Sequence, residues 1–263
     1  MEKTMSILSE ILADKRTEVD CARKRIPISE LEKRIADMPP PRDFIGALLS
    51  APSPALIAEV KKASPSCGVI RDDFDPVQIA RIYDQNGANC ISVLTDEPYF
   101  QGHISYLRQI REVTDRPLLR KDFIIDDYQI LEARAAGADA ILLIAAALTP
   151  TELEWMLEAT HTLNMAAILE VHDQDELEYS LKTQAKIIGI NNRDLHKFRT
   201  TLQTTLDLMP RIPLDKIVLS ESGIKSHKDV VSLSKAGVRA ILIGETFMRS
   251  HDIAGIMHEL MGR

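Results

Sequence analysis

Two lysines and two glutamates in this sequence form a set that could move protons. Glu59 and Lys61 close the run ALIAEVK, Lys121 stands in PLLRKD, and Glu170 lies near the end of AAILEV. The surrounding residues are mostly aliphatic, as in buried strands. Glu59 and Lys61 are two residues apart, so in a strand their side chains share one face. A charge in such a place is costly unless it is paired or used. Opposite charges held close, with partial burial, tune each group toward giving or taking a proton.

These residues need elements to position them, and the chain supplies a regular series. Eight aliphatic runs recur at intervals of roughly 20–35 residues: ALIAEV, CISVL, PLLRKD, AILLI, AAILEV, KIIGIN, KIVLSE and AILIGE. Amphipathic segments such as PVQIARIYDQNG, YQILEARAAG and TELEWMLEAT lie between them. Asp75-Pro76 predicts an N-cap with proline at the first helical position. Thr149 to Glu152 reads as a capping box. Gly87, Gly137 and Gly237 fall where helices should stop in a left-handed residue. The fragments GANCISVL, GADAILLI and GVRAILIG repeat one unit of helix end, turn and strand. Eight parallel strands alternating with helices predict an α/β fold, a (β/α)8 TIM barrel. An open doubly wound sheet is the rival; the count of eight and the lack of a glycine fingerprint after the first strand disfavour it. The 263 residues suit one barrel domain spanning 1–263. Residues 1–50 form its N-terminal helical extension, clearest in MSILSEILADKRTEVDCARKR, which caps the barrel at its bottom or its rim.

In such a barrel, function gathers at the C-terminal ends of the strands. The sequence puts Glu59 and Lys61 there, then Thr95, Asp96 and Glu97, then Arg120, Lys121 and Asp122. Glu170 and His172 follow, then Asn191, Asn192, Arg193 and Asp194, then Ser220, Glu221, Ser222 and Gly223, and last Gly244 and Glu245. Strand four ends in alanines. Taken singly, each group has a plain alternative: an ion pair, a surface lysine, a polar turn. Glu170 could simply precede the capping box Asp173-x-x-Glu176. Their coincidence at strand ends points instead to one site with mixed acid and base groups. The glycine turns at Ser222-Gly223 and Gly244-Glu245 suit a phosphate, because backbone N–H groups at a helix start favour an anion. A carboxylate aimed there would repel it, so the Glu245 side chain is expected to point away and only its N–H to be used. Lys61 to Pro76 lacks helical periodicity and is expected to be a mobile lid. His172 and His196 stand near the rim without partners at metal spacing, and Trp155 is expected to pack.

Composition narrows the rest. A net charge of −7 argues against a general nucleic-acid surface. The longest apolar run, AILLIAAAL, is too short to span a bilayer. The N-terminus is charged throughout and lacks a secretory core. Cys21, Cys67 and Cys90 have no metal spacing and fit a reduced, cytoplasmic protein.

The motifs IAEVKKASPS, VLTDEPYFQG, LRKDFIID, LEVHDQDEL, IGINNRDL, SESGI and LIGETFM, in this order, resemble the indole-3-glycerol-phosphate synthase family. The resemblance covers nearly the whole chain, the helical extension included. It implies ring closure of 1-(2-carboxyphenylamino)-1-deoxyribulose 5-phosphate with loss of carbon dioxide and water, and no metal or organic cofactor. By resemblance Lys121 is the general acid toward the ribulose carbonyl, Glu170 the acid/base partner of later steps, and Glu59 and Lys61 assist. Lys61 is alternatively the donor for dehydration. Asn191 resembles the residue that positions substrate hydroxyls, and Arg193 a carboxylate ligand or an orienter of the site. Ser64, Gly223, Gly244 and Glu245 match the phosphate-binding positions, Glu221 stands with them as a substrate-binding residue, and Ser222 lies beside them in the active site. Cys67 stands where many relatives carry lysine, and Glu245 where some carry a small hydroxyl residue. The implied protein is a monomer, not fused to a phosphoribosylanthranilate isomerase barrel, whose partner is a small phosphorylated substrate rather than a nucleic acid or a membrane.

Overall fold

The eight aliphatic runs all form strands, and they close on one another. They are β1 (Ala55–Val60), β2 (Cys90–Leu94), β3 (Leu118–Lys121), β4 (Ala140–Ile144), β5 (Ala166–Val171), β6 (Ile187–Asn191), β7 (Ile217–Glu221) and β8 (Ala240–Ile243). The computed structural model describes residues 7–194 and 199–263; His196 lies outside the described residues. Every neighbouring pair is parallel, and β8 pairs back onto β1 with Ala55 opposite Ala240, so the sheet is a closed TIM barrel and not an open sheet. The runs are apolar on both faces because both faces are buried. One face packs on the surrounding helices, through residues such as Leu56, Ala58, Val93 and Leu143. The other fills the barrel interior with Ile57, Leu119, Leu142, Ile168 and Leu219.

Local signals set the helix starts and stops. Asp75 Oδ1 accepts from the N–H groups of Val77 and Gln78 at 2.9 and 3.1 Å, ahead of Pro76. Thr149 and Glu152 form the reciprocal capping box. Gly87, Gly137 and Gly237 all take positive φ. Only half of the expected box at Asp173 forms. Asp173 caps the helix Gln174–Ser180, but the Glu176 carboxylate passes over Asp173 and accepts from the N–H of His172 at 2.8 Å. Trp155 does not pack as expected; it is 62% exposed on its helix.

The extension uses both ends of the barrel. Helix α1 (Ile7–Arg25) lies over the C-terminal mouth, where the buried Lys15 pairs with Asp96 and Asp122 from the ends of β2 and β3. Helix α2 (Ile28–Ala36) packs Leu31 against Tyr128 and Ala135 on the flank. Helix α3 (Phe44–Ser50) plugs the bottom with Phe44 and Leu48, which join the interior cluster. Among the described residues no helix is long and apolar enough to cross a membrane.

Candidate active site

Along each strand, alternate side chains enter the barrel. Followed toward the mouth, these inward rows change from apolar to charged. Ile57 gives way to Glu59 and Lys61, Leu119 to Lys121, Ile168 to Glu170, and Leu219 to Glu221. This resolves the placement of charges at the end of a core strand: the interior row runs out of the packed core and into a cavity. Lys61 Nζ lies 2.9 Å from Glu59 Oε2. Lys121 Nζ reaches Glu170 Oε2 at 3.0 Å and, across the barrel, Glu221 Oε2 at 3.2 Å. Two glycines make room for these carboxylates. A Cβ on Gly244 would stand 2.3 Å from Glu59 Oε2, and one on Gly189 would stand 2.6 Å from Glu221 Oε1.

The electrostatics follow from crowding three carboxylates around one buried ammonium. Burial opposes the charge on Lys121, but Glu170, Glu221 and Glu59 outweigh it and hold the lysine protonated. Burial likewise opposes ionisation of Glu170; Lys121 and His172 reverse this and keep its carboxyl below the usual range. Glu221 has the opposite fate. Burial, reinforced by Glu170 and Glu59 and only partly offset by Lys121, pushes its carboxyl up to about 7. Its Oε1 is buried without a hydrogen-bond partner. The centre thus contains an acid held charged, a base held ionised and a carboxyl poised near neutrality.

Asn191 adds to the influences that keep Glu170 ionised, and its side-chain oxygen accepts from the N–H of Arg193 at 3.0 Å. Ser222 and Gly223 turn with φ of 69° and 81°. A left-handed conformation at a serine costs on the order of 1–3 kcal/mol and persists only where neighbours enforce it. The enforcing neighbour is Asn192, which is buried and donates from Nδ2 to the carbonyls of Glu221 and Ser222 at 2.9 and 3.0 Å. Sequence reasoning grouped Asn192 with a polar turn and missed this role; no signal in one sequence names its partners.

The Glu245 side chain does not point away as expected. Its Oε2 lies 2.9 Å from Arg193 Nη2 and its Oε1 2.9 Å from Arg249 Nη2, at the edge of the mouth. Burial opposes its ionisation, but the two guanidinium groups pull the carboxyl down to about 2. Flanking arginines thus meet the repulsion that the sequence reading avoided by rotation. Arg193 also donates to Ser66 Oγ at 3.1 Å, tying the loop after β1 to β6. Of the loop serines, Ser66 lines the cavity; Ser64 is buried beneath it, with the two Oγ atoms 3.4 Å apart. Ala63–Ser64 pairs with Gly68–Val69, and Arg71 fastens the loop to the carbonyl of Ser250 at 2.8 Å. Cys67 is exposed on this loop.

The cavity's other wall is apolar. Leu8 and Ile11 of α1 face Leu94, Phe100, Phe123 and Ile144 across it. The cavity therefore has an apolar side suited to an aromatic ring, a charged floor, and a glycine-rich side formed by Gly223, Gly244 and Glu245. Glu59, Lys61, Lys121, Glu170, Asn191, Arg193, Glu221 and Ser222 all line it. Among the described residues no group of three His, Cys, Asp or Glu is arranged to hold a metal ion.

Comparison with known proteins agrees with this geometry. The family model described as indole-3-glycerol phosphate synthase matches residues 8–260. A relative of that name from Acidithiobacillus ferrooxidans is 53% identical over 247 residues, covering 93% of this chain and 94% of its own. Another of that name, from Roseiflexus castenholzii, is 51% identical and covers 98% of this chain and 99% of its own. Among solved structures, a mutant tryptophan synthase alpha-subunit from Pyrococcus furiosus superposes with a TM-score of 0.62 at 15% identity, covering 80% of this chain and 98% of that one. KGPDC from Streptococcus mutans gives the same TM-score at 13% identity, over 80% of this chain and 96% of that one. At such identities the likeness is one of fold.

Proposed function

The chain belongs to the indole-3-glycerol phosphate synthase family, a decarboxylating, ring-closing lyase of tryptophan biosynthesis, and we propose how its barrel mouth divides that reaction among its side chains. The substrate is 1-(2-carboxyphenylamino)-1-deoxyribulose 5-phosphate. Its aromatic ring lies on the apolar wall of Phe100, Phe123 and Ile11, and its phosphate lies toward Gly223 and Gly244. Attack of the ring carbon on the ribulose carbonyl develops negative charge on oxygen, which a cation or acid must meet. Lys121 meets it and transfers its proton. The observation that carries this reading is the Lys121 ammonium held at 3.0 and 3.2 Å by two buried carboxylates on the charged floor. Carbon dioxide then leaves and the ring regains its aromaticity. Loss of the hydroxyl as water needs an acid, and loss of a proton from the adjoining carbon needs a base. Glu170 is the base. Lys61, paired with Glu59, serves as the second acid, and Asn191 and Ser222 align the substrate hydroxyls.

Arg193, Glu245 and Ser66 couple the phosphate side of the cavity to the loop 61–76, and closure of this loop excludes water. Hydrogen exchange in residues 61–76 slows when substrate or product is bound; equal exchange in both states removes the lid from the mechanism. The protein acts as a monomer in the reducing cytoplasm on this reading. One chain supplies every group of the site, and Cys21, Cys67 and Cys90 are free thiols. The decisive assay adds the carboxyphenylamino-deoxyribulose phosphate to purified protein and follows indole fluorescence and released carbon dioxide. Absence of both overturns the proposal.

A further inference from the structure

The proposed chemistry has a proton balance that the groups named so far do not close. As the new carbon–carbon bond forms, the carbonyl oxygen takes one proton from Lys121. The carbon–carboxylate bond then breaks, and its electron pair returns to the ring. The hydroxyl takes a second proton and departs as water. One proton is returned when the adjoining carbon–hydrogen bond breaks. Two protons are consumed and one is recovered, so one must enter from solvent in every turnover. It must reach Lys121 or its partner Glu170 through a mouth covered by α1, the loop after β1 and the substrate.

We propose that His172 is the relay residue that carries this proton from solvent, through Glu176, to Glu170. The geometry is a chain of three short gaps leading outward from the barrel. Lys121 Nζ lies 3.0 Å from Glu170 Oε2. Glu170 Oε1 lies 3.4 Å from His172 Nε2. His172 Nδ1 lies 3.1 Å from Glu176 Oε2. Outward from Glu170, side-chain exposure rises from 3% to 11% at His172 and 16% at Glu176, while Lys121, at the inner end, is 15% exposed toward the substrate cavity. The outer end opens on a second recess, lined by His172, Asp173, Glu176, Asn191, Asp194 and Arg199, which adjoins the substrate cavity at Leu8 and Asn191. The imidazole therefore stands between Glu170, which lines the substrate cavity, and Glu176, which lines the recess, with one nitrogen facing each carboxylate.

Two details argue that this is more than packing. Nε2 is buried and makes no hydrogen bond, although Glu170 stands within a few tenths of an ångström of bonding distance. Catalytic hydrogen bonds are often long before the substrate is in place and tighten on binding. Nor does Glu176 spend its carboxylate on a standard capping box. It reaches past Asp173 to the N–H of His172, which fixes it at bonding distance from Nδ1. The groups facing the ring are Glu170 on its own strand, Glu176 on the following helix and Lys121 on β3. Burial opposes a charge on the ring; the hydrogen bond to Glu176 and the charge of Glu170 overcome it, against Lys121, and favour the imidazolium. The imidazolium gives its Nε2 proton to Glu170 and is left as the Nδ1–H tautomer. Proton exchange with water converts this to the Nε2–H tautomer, Nδ1 then takes a proton from Glu176, and Glu176 is recharged by water. Glu170 passes the proton to the neutral Lys121 left by carbonyl protonation. His172 touches Glu170 and not the substrate, so it acts through that residue.

This inference rests on the ring-closing reading, and the test separates the two. Wild-type protein without turnover refutes that reading. Given turnover, His172→Gln should lower kcat by about tenfold, less than the ~10²–10⁴-fold loss of a group that acts directly on substrate, while KM stays within about twofold. The solvent deuterium effect on kcat should rise, because proton delivery becomes slower than the carbon chemistry. Added imidazole should restore kcat in His172→Ala. Glu176→Gln, a near-isosteric change, should give the same loss and flatten the pH–rate profile, which keeps the test open if the histidine variants fold poorly. The relay is overturned if His172→Gln or Glu176→Gln retains wild-type kcat and pH profile. It is also overturned if His172→Ala loses activity that imidazole leaves unrestored, since a structural role alone predicts that pattern.

Discussion

Arg120, Lys121 and Asp122 are consecutive, yet they belong to two different ion clusters. Strand alternation turns Lys121 into the barrel and its two neighbours outward to the rim. At the rim, Lys15 binds Asp96, Asp122 and Glu18 at 2.8, 3.0 and 2.7 Å, and Arg120 binds Asp122 and Glu132 at 3.0 and 2.9 Å. The remaining capacity of these groups is filled by Thr95, the Gln129 carbonyl and the N–H groups of Tyr99 and Phe123. Burial opposes charge on Asp122, but Arg120 and Lys15 prevail and hold its carboxyl far below the usual range. In the barrel, Lys121 also binds two buried carboxylates, but Glu221 keeps an unpartnered oxygen and titrates at about 7. Both clusters are buried and both are built from lysine and carboxylates. Saturation distinguishes them: the rim cluster holds Asp122 ionised with both oxygens bonded, and the central cluster leaves Glu221 with a free oxygen and a carboxyl pushed up to about 7.

If that difference is functional, the two lysines must fail in different ways. Lys121→Met should have the largest effect of any change here. Methionine keeps most of the side chain's volume but removes its charge and proton, so turnover should fall by ~10²–10⁴-fold or more. Phosphate affinity should change far less, since the glycine turns are elsewhere. Single-turnover kinetics with a parallel binding titration separates these terms; retention of more than about a tenth of the rate makes Lys61 the leading candidate for the acid. Lys15→Met should do the reverse. Removing one partner of a buried ion cluster leaves carboxylates unpaired and costs about 3–5 kcal/mol of stability. Because the folded-state pKa of Asp122 is depressed, its stabilisation is present above the usual aspartate value of about 3.9 and is lost as pH falls below it. Denaturant titrations should therefore show less acid sensitivity in Lys15→Met than in wild type. A variant with unchanged stability would show that the rim cluster does not latch α1 to the barrel.

The sequence revealed the central cluster far better than the rim cluster. Glu59, Lys61, Lys121 and Glu170 were legible because inward rows end at the same level, and a strand-end position reports that level directly. The barrel itself was legible because its eight runs and their caps are local signals. Lys15 was not, because a lysine in an amphipathic helix reads as solvated, and its partner Asp96 is 81 residues away. Glu245 was misjudged for the same reason: its orientation depends on Arg193, which is 52 residues distant. His172 was set aside because it lacked metal spacing, a test blind to a ring between two carboxylates. Pairings across the fold, rather than residue types, are what one sequence conceals.

Glu221→Gln sharpens the comparison at intermediate size. The folded-state carboxyl titrates at about 7 and its ordinary value is 4.5, so between these values the native state holds a proton that the unfolded state has released. Stability from this group is full below the lower value and is lost as pH rises through the upper one. Glutamine behaves as a permanently protonated mimic and does not incur that loss. The stability of Glu221→Gln relative to wild type should therefore rise between pH 5 and 8, read as the difference in denaturant midpoints. A difference independent of pH would mean that Glu221 is ionised throughout and that the central cluster is as saturated as the rim.

The smallest effect is expected at Glu245, where a third cluster lies between the two extremes. Its carboxylate is paired with Arg193 and Arg249, as a rim group would be, but about a quarter of its side chain remains exposed, with the Arg193 side chain 25% and the Arg249 side chain 54% exposed. Partly exposed pairs contribute roughly 0–1 kcal/mol, so Glu245→Gln should leave the unfolding midpoint nearly unchanged. Its influence on an anion is similarly limited. The carboxylate stands one residue from the Gly244 turn, repels a phosphate there, and occupies the guanidinium that could otherwise approach it. Glutamine removes the repulsion and loosens Arg193. Inorganic phosphate should bind the variant more tightly, by no more than about fivefold, the equivalent of roughly 1 kcal/mol. The gain should shrink as ionic strength rises, because exposed charges are screened over about 8–10 Å at moderate salt. Titration calorimetry with phosphate at two salt concentrations measures both. Weaker binding to Glu245→Gln would mean that the carboxylate serves the anion indirectly, by holding Arg193 in place, and the two arginines would then belong to the phosphate site as a rigid unit.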